Sequence, residues 1–325
     1  MFAPYNGTLK TRRKAIQDQL YLDNIRLCYL QAGHVRQLAS SAKLRHLLCL
    51  VFLLVFAPGH GRAQDRPYFV SYSHDMEDTG ELDIESKTAI AGTRNPFAAM
   101  ATESEFGVRS WWTAGLYLDG QVTDEDSAIY TGFRIENRLK PWKGEHIVNP
   151  ILYVEYENIS GADKTILEFV GHDAEDDMNG ANDVARRKHQ HEGEFRLILS
   201  SNVHTWNFAE NFIAEKDLGH SPWEFGYAIG VSRPLRAVSV SPCTLCGSKF
   251  VAGVEMYGGA GDTRSLTVRD TSHYVAPALG WNTSSRTRVS VSTAFGVSGS
   301  SLRCVFRAGF VYEFQTLSSW FRNSR

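Results

Sequence analysis

Alternation between apolar and polar residues recurs in stretches of about ten residues from Glu81 to the end of the chain. Successive side chains of a β-strand point to opposite faces, so each stretch predicts a strand with one apolar and one polar face. A strand that crosses a bilayer needs only about 9–11 tilted residues, with lipid on one side and a lumen on the other. We therefore predict an all-β protein whose residues 81–314 form a single transmembrane, antiparallel, up-and-down β-barrel.

The barrel should contain about 12 strands, within a range of about 10–14. The predicted strands are Leu82–Ala91, Met100–Val108, Trp112–Gln121, Ala128–Arg138, Ile151–Asn158, 192–201, 206–212, 223–233, Phe250–Gly258, His273–Trp281, Arg288–Val297 and Arg303–Phe314. A further candidate, Thr165–Val170, would reverse the side of every later loop and give an odd number of strands. We therefore assign residues 159–191 to one long external loop.

An export signal precedes the barrel. Basic residues lead into the apolar run Leu47–Ala57, and small residues follow it, which predicts a cleavable signal peptide over residues 43–63 that is cut after Ala63. The run holds 11 residues, whereas a membrane-spanning helix needs about 20. The remaining parts are an N-terminal extension outside the mature protein (1–42), a periplasmic N-terminal segment (64–80) and a short C-terminal tail (315–325).

The charge of the mature chain limits its partners. Residues 1–63 contain nine of the 34 Lys and Arg and two of the 36 Asp and Glu, which leaves 25 basic against 34 acidic residues, a net charge near −9. A negative chain of this kind is a poor partner for nucleic acid or for an anionic ligand held by bulk charge. We therefore predict no nucleic-acid partner.

The export signal, the amphipathic strands and the aromatic-rich run Phe306–Phe314 together resemble bacterial outer-membrane β-barrel proteins of the porin-like type. The resemblance covers residues 81–314 and concerns architecture, since no catalytic motif accompanies it. It implies a location in the bacterial outer membrane, with outer-membrane lipids around the barrel. Families of this type usually end on the aromatic residue of the last strand, whereas Gln315–Arg325 follow it here.

Eleven charged side chains fall on the predicted inner face, where rings of charge set the selectivity of a pore. They are Arg134, Glu136, Arg138, Glu155, Glu157, Glu194, Arg196, Glu255, Arg288, Arg307 and Glu313. About twelve strands lie between the filled lumen of about eight and the open channel of about 16–18. We expect a narrow pore for passive diffusion of small hydrophilic solutes rather than a plug of internal salt bridges. Glu155, Glu157 and Glu194 should give it a weak cation preference.

Two other functions stay open, an outer-membrane lipid hydrolase and an adhesion or scaffold barrel. The sequence has no Gly-x-Ser-x-Gly motif. Residues 171–192 are rich in Asp, Glu and His but do not match the spacing of a calcium loop, so we expect a solvated external loop there. We predict no catalytic residue, no metal site and no cofactor.

The mature chain keeps three cysteines. Cys243 and Cys246 lie three positions apart in a predicted periplasmic loop and could close a small disulfide, hold half of a metal site or take part in thiol exchange. A structural disulfide between them is the expected state in an oxidising compartment. We expect Cys304 to be unpaired.

Overall fold

A computed structural model describes residues 66–172, 178–185, 187, 189–219, 221–235 and 249–314. Several predictions lie outside these residues. They concern the N-terminal extension 1–42, the signal peptide 43–63 with its cleavage after Ala63, the tail 315–325, and the disulfide between Cys243 and Cys246.

Twelve strands form in the order in which the alternating stretches occur. They are β1 (Leu82–Ala91), β2 (Phe97–Arg109), β3 (Trp112–Thr123), β4 (Ala128–Leu139), β5 (Asn149–Ser160), β6 (His189–Val203), β7 (Trp206–Asp217), β8 (Glu224–Pro234), β9 (Phe250–Asp262), β10 (His273–Asn282), β11 (Thr287–Gly296) and β12 (Cys304–Phe314). A short helix, α1 (Asn182–Ala185), lies between β5 and β6. No helix in the described part of the chain is long and apolar enough to cross a membrane.

The strands close into a single antiparallel barrel. Each strand pairs with its neighbours in sequence, and β12 pairs with β1 in a register that places Phe314 opposite Leu82. Closure removes the unpaired edges that an open sheet would present. The predicted fold, a single antiparallel up-and-down barrel of about twelve strands, is therefore confirmed.

The two faces of the barrel differ as the alternation predicts. Outward side chains are apolar and exposed, as Leu118 on β3, Phe212 on β7 and Phe306 on β12 illustrate. Their inward neighbours Tyr117 and Asp119 on β3 are each only 1% exposed. An apolar outer surface around a polar interior is the reverse of a soluble barrel, and it suits a lipid environment.

The barrel has two rims. We call the end at which β1 begins and β12 ends the terminal rim, and the other end the opposite rim. Residues 66–77, here called the proximal segment, fold from the terminal rim into the lumen, and the chain then returns to that rim to begin β1. The sequence pattern predicts residues 64–80 in the periplasm. In the structure residues 66–77 lie inside the barrel instead, because the lumen offers hydrogen-bond partners to their backbone.

A second stretch enters the lumen from the opposite rim. Residues 162–171, here called the distal segment, follow β5 and pack Ile166, Phe169 and Val170 inside the barrel. They form no spanning strand, as predicted, but they are not part of a solvated loop either. The apolar side chains of this segment are buried because only the lumen shields them from water.

Candidate functional site

The proximal and distal segments meet in the middle of the lumen. Phe69 and Val70 of the proximal segment belong to the same cluster of buried apolar side chains as Ile166 and Phe169 of the distal segment. The ring of Phe169 lies 4.6 Å from that of Tyr274 on β10, measured between centroids. The lumen is therefore occupied at mid-depth by chain that does not belong to the barrel wall.

A single carboxylate anchors the proximal segment. Glu255 on β9 accepts hydrogen bonds from the backbone N–H groups of Phe69, Val70 and Ser71, at 2.9, 2.9 and 2.8 Å. Its side chain is completely buried. Hydrogen bonds to a charged acceptor stabilise by about 1.5–3 kcal/mol each, so this residue contributes strongly to holding the segment.

Tyr72 also ties the proximal segment to the wall. Its backbone N–H donates to Asn211 on β7 at 2.7 Å, and its hydroxyl lies 2.7 Å from that of Tyr117 on β3. The guanidinium groups of Arg138 and Arg196 lie 5.4 and 5.0 Å from the centre of its ring. Burial raises the pKa of the Tyr72 phenol above its ordinary value, so the ring stays neutral between these cations.

The charged side chains of β4 to β7 form three rows across the inner wall. The strand registers place Arg138, Tyr153, Arg196 and Ile213 in the row nearest the terminal rim. The next row holds Glu136, Glu155, Glu194 and Glu215, and the third holds Arg134, Glu157, Glu192 and Asp217. Like charges directly opposite one another are destabilising, so the carboxylate row depends on cations in the rows beside it.

Arg196 supplies one such cation and also links both inward segments. It binds Glu194 through two hydrogen bonds of 2.9 and 3.0 Å. Its guanidinium also donates to the backbone oxygen of Val70 at 3.1 Å, and it lies 3.9 Å from the carboxylate of Glu168 in the distal segment. A change in either segment therefore alters the surroundings of the same buried guanidinium.

Arg134 on β4 supplies the second cation and faces an excess of carboxylates. It lies within 4.0 Å of five of them, which are Asp119, Glu155, Glu157, Asp163 and Glu168. The closest contact is the hydrogen bond to Glu168, at 2.5 Å. One guanidinium cannot neutralise five carboxylates, so this part of the lumen is strongly acidic.

All eleven charged residues predicted on the inner face are buried inside the barrel. Those not yet described lie on β11 and β12: Arg307 on β12 donates to the backbone oxygen of Ile166 at 3.0 Å, and Arg288 on β11 lies 4.0 Å from Glu85 on β1. Glu313 is 1% exposed on β12. Their place on the inner face follows from strand alternation, whereas their role in lining a permeation path stays a prediction.

A cavity of about 490 Å³ opens between the distal segment and the wall formed by β5 to β8. Its acidic lining residues are Glu157, Asp163, Glu168, Glu192, Glu215, Asp217 and Glu224. The basic residues that line it, among those the structure describes, are Arg134 and Lys216. The cavity is thus a negatively charged space that reaches from the opposite rim toward the middle of the lumen.

In the part of the chain that the structure describes, two sets of three carboxylates come close enough to share a metal ion. In each set the oxygen atoms lie within 4.8 Å of one another, and the sets are Glu103, Glu105 and Glu136, and Glu157, Glu194 and Glu215. The charge of the first set is already compensated by basic side chains. Lys87 lies 3.6 Å from Glu103, and Arg138 contacts both Glu105 and Glu136. The second set borders the acidic cavity.

Three residues that the sequence does not connect meet near the terminal rim. Nδ1 of His74 lies 2.8 Å from the hydroxyl of Ser200, and Nε2 lies 2.8 Å from a carboxylate oxygen of Glu145. This order of groups is that of a catalytic triad. Ser200 is completely buried, however, and its hydroxyl also accepts a hydrogen bond from Asn207 at 3.2 Å. In this conformation the three groups tie the proximal segment to the wall and leave no space for a substrate at the serine.

The prediction that Cys304 is unpaired is wrong. This cysteine begins β12 and takes part in a disulfide bond.

Comparison with protein-family profiles and with curated protein sequences gives no match. Among solved structures, the chain is similar to the KdgM porin at 8% identity, with a TM-score of 0.45 over 72% of this chain and 99% of that chain. The NanC porin is 11% identical, with a TM-score of 0.42 over 71% of this chain and 98% of that chain. An outer membrane channel from Pseudomonas putida F1 is 10% identical, with a TM-score of 0.43 over 77% of this chain and 100% of that chain. The fold rests on the strand pairing of this chain itself.

Proposed function

We propose that the protein is an outer-membrane channel for small hydrophilic solutes whose lumen is closed in this conformation by the proximal segment. The observation that carries the proposal is that the closing element is not part of the wall. Polar contacts to wall residues such as Glu255, Asn211 and Arg196 hold it, beside the apolar packing of Phe69 and Val70. The polar groups can exchange a protein partner for water when the segment withdraws.

The acidic cavity supplies the outer half of the path. It borders Glu157, and Glu194 lies within 4.8 Å of that residue in the neighbouring row. Arg196 in the following row contacts the proximal segment directly. Withdrawal of residues 66–77 would therefore extend the cavity from the opposite rim toward the terminal rim. The sequence pattern predicts a narrow pore, and in this mechanism that pore forms when the proximal segment withdraws.

The test is planar-bilayer conductance of the wild-type protein and of a variant that lacks residues 66–77. The wild type should be closed for most of the recording, with brief openings at most. The deletion variant should conduct steadily, because the wall residues that it uncovers are polar and will be hydrated. Heat modifiability on a denaturing gel establishes that both proteins are folded barrels.

Two results would contradict the channel proposal. The first is a deletion variant that is folded but does not conduct. The second is equal conductance in both proteins, which would show that the proximal segment does not close the lumen. A barrel with an adhesion or scaffold role predicts the first result.

The predicted cation preference can be examined in the same recordings. Glu155, Glu157 and Glu194 all face the lumen, but each lies within 4.0 Å of Arg134 or Arg196. Their charge is therefore partly offset, and a weak preference is what such pairing predicts. Reversal potentials of the deletion variant in a salt gradient measure it, and an anion preference would contradict the assignment.

The lipid hydrolase remains the second candidate because of Ser200, His74 and Glu145. Their atoms have the order that nucleophilic catalysis requires. Release of the proximal segment would also remove His74 from Ser200, so the same motion that exposes the serine would separate it from its base. Measurable deacylation of a lipid by the wild type, abolished by Ser200→Ala, would favour this candidate over the channel.

A further inference from the structure

Glu215 is the one member of the carboxylate row that no other group compensates within the described part of the chain. In this row Glu136 accepts a hydrogen bond from Tyr117, Glu155 accepts one from Tyr153, and Glu194 binds Arg196. Glu215 on β7 has no hydrogen bond and no ion pair among the described residues. Its side chain is nevertheless only 9% exposed.

The surroundings of Glu215 make this lack of a partner costly. Its carboxylate lies within 4.8 Å of those of Glu157 and Glu194, and it borders the acidic cavity. Both oxygens of Glu157 accept no hydrogen bond from the residues that the structure describes, although Arg134 lies 3.1 Å from one of them. A buried charge without a partner is strongly unfavourable, and the described residues leave this place short of positive charge.

Counting charges gives the same result. In the described part of the chain two guanidinium groups serve this region, those of Arg134 and Arg196, and they lie within 4.0 Å of six different carboxylates. Glu215 adds a seventh. Oxygen atoms of several carboxylates that converge on one point are the ligands that calcium prefers, because it accepts about 6–8 of them in irregular geometry.

We propose that Glu157, Glu194 and Glu215 bind one divalent cation at the inner end of the acidic cavity, with Ca²⁺ as the fitting ion. The cation completes the compensation of the carboxylate row, and the cavity gives it a route from the opposite rim. Glu215 is the deciding ligand, since Glu157 and Glu194 already share their charge with arginines. This site does not depend on the channel proposal, because a closed barrel would bind the ion equally well.

Calcium titration of the purified, folded full chain at pH 7.5 tests the site, by calorimetry and by the unfolding temperature. One Ca²⁺ per chain should bind to the wild type and raise its unfolding temperature, because a ligand stabilises the state that binds it. Glu215→Gln should weaken binding at least tenfold. Sodium chloride at matched ionic strength controls for charge screening.

Glu210→Gln provides the matched control. Glu210 lies on the same strand but belongs to the outward-facing set, between Phe208 and Phe212, so its replacement should leave calcium binding unchanged. Glu215→Asp, which keeps the charge on a shorter side chain, gives intermediate binding and serves if Glu215→Gln does not fold. Calcium that neither binds to nor stabilises the wild type would overturn the site, as would equal binding by wild type and Glu215→Gln. The first result would mean that protons compensate the carboxylates.

Discussion

Glu255 gives the sharpest test at the scale of single residues. A carboxylate can accept from three N–H groups at once, whereas the amide of Gln has one accepting oxygen and presents its NH₂ group to the remaining donors. Glu255→Gln should therefore loosen the proximal segment and increase the open probability of the channel in bilayer recordings, while the barrel remains folded. Glu125→Gln, an exposed residue between β3 and β4, is the control with the same chemical change. Unchanged gating in Glu255→Gln would show that the anchor is unimportant.

Gly230 on β8 offers a steric route to the same end. A Cβ atom at this position would lie 2.7 Å from the ring of Tyr68, a distance that requires the ring to move. Gly230→Leu should therefore expel the ring and raise conductance without disturbing strand pairing. Gly299→Leu is the matched control, because a Cβ there meets nothing within 4 Å. Identical recordings from the two variants would mean that the ring of Tyr68 does not contribute to closure.

The small residues on the inner face of β8 also show where sequence reasoning stops. Gly226, Ala228 and Gly230 predict unoccupied space in the lumen when the strand is read alone. In the structure Tyr68 fills the space at Gly230, and the backbone oxygen of Phe169 lies 2.3 Å from where a Cβ of Gly226 would be. The pattern shows that these positions need to be small, but the segments that occupy the space come from other parts of the chain.

At the scale of elements, the strands follow from the sequence and the inward segments do not. Alternation with period two predicts β1 at Leu82–Ala91, which are its observed bounds. β2 begins at Phe97, earlier than the predicted Met100, because its pairing with β3 continues as far as Phe97 opposite Thr123. Residues 66–77 carry no periodicity, and their main partner, Glu255, is 186 positions from Phe69. Local patterns hold no signal for contacts at this separation.

The distal segment should depend on its aromatic contact. Phe169 is 2% exposed, and its ring packs on Tyr274 and stacks with Tyr257 at 5.7 Å. Replacement of a buried Phe by Ala costs about 3–5 kcal/mol, so Phe169→Ala should increase hydrogen exchange in residues 162–171. Leu266→Ala, at a residue that is 74% exposed on the same rim, should not. Equal exchange in both variants would contradict the packing described for this segment.

The proximal segment has an acid-sensitive contact. Burial alone would raise the pKa of Asp75, but the charge of Arg66 and hydrogen bonding to Ser73, with a smaller effect of His74, bring it below the ordinary value of 3.8. A lowered pKa in the folded state gives stability that is present above pH 3.8 and is lost as the pH falls through the folded value. Asp75→Asn should therefore open more often than the wild type from pH 7 to pH 5, and the difference should shrink as the pH falls below 3.8 and vanish below the lowered pKa of Asp75. A difference that does not shrink as the pH falls below 3.8 would exclude this contact as its cause.

At the scale of the whole molecule, the even number of strands determines which loops lie at which rim, and therefore bears on the orientation of the barrel. An even number of strands puts both ends of the barrel chain at one rim, and the longest connection, residues 161–188, lies at the other. In barrels of this class the short turns face the periplasm and the longer loops face outward. The acidic cavity would then open toward the cell exterior, and the proximal segment would close the lumen from the periplasmic side.

Labelling of introduced cysteines on intact cells checks this orientation. Asp183→Cys, in α1, should react with a membrane-impermeant thiol reagent, since the aspartate side chain is 59% exposed beside the opposite rim. Ser110→Cys, in the tight turn between β2 and β3, should react only after the outer membrane has been permeabilised, although the residue is exposed in the structure. The wild-type chain measures labelling of the native cysteines. The reverse labelling pattern would mean that the barrel has the opposite orientation in the membrane. The acidic cavity, with its calcium site, would then face the periplasm.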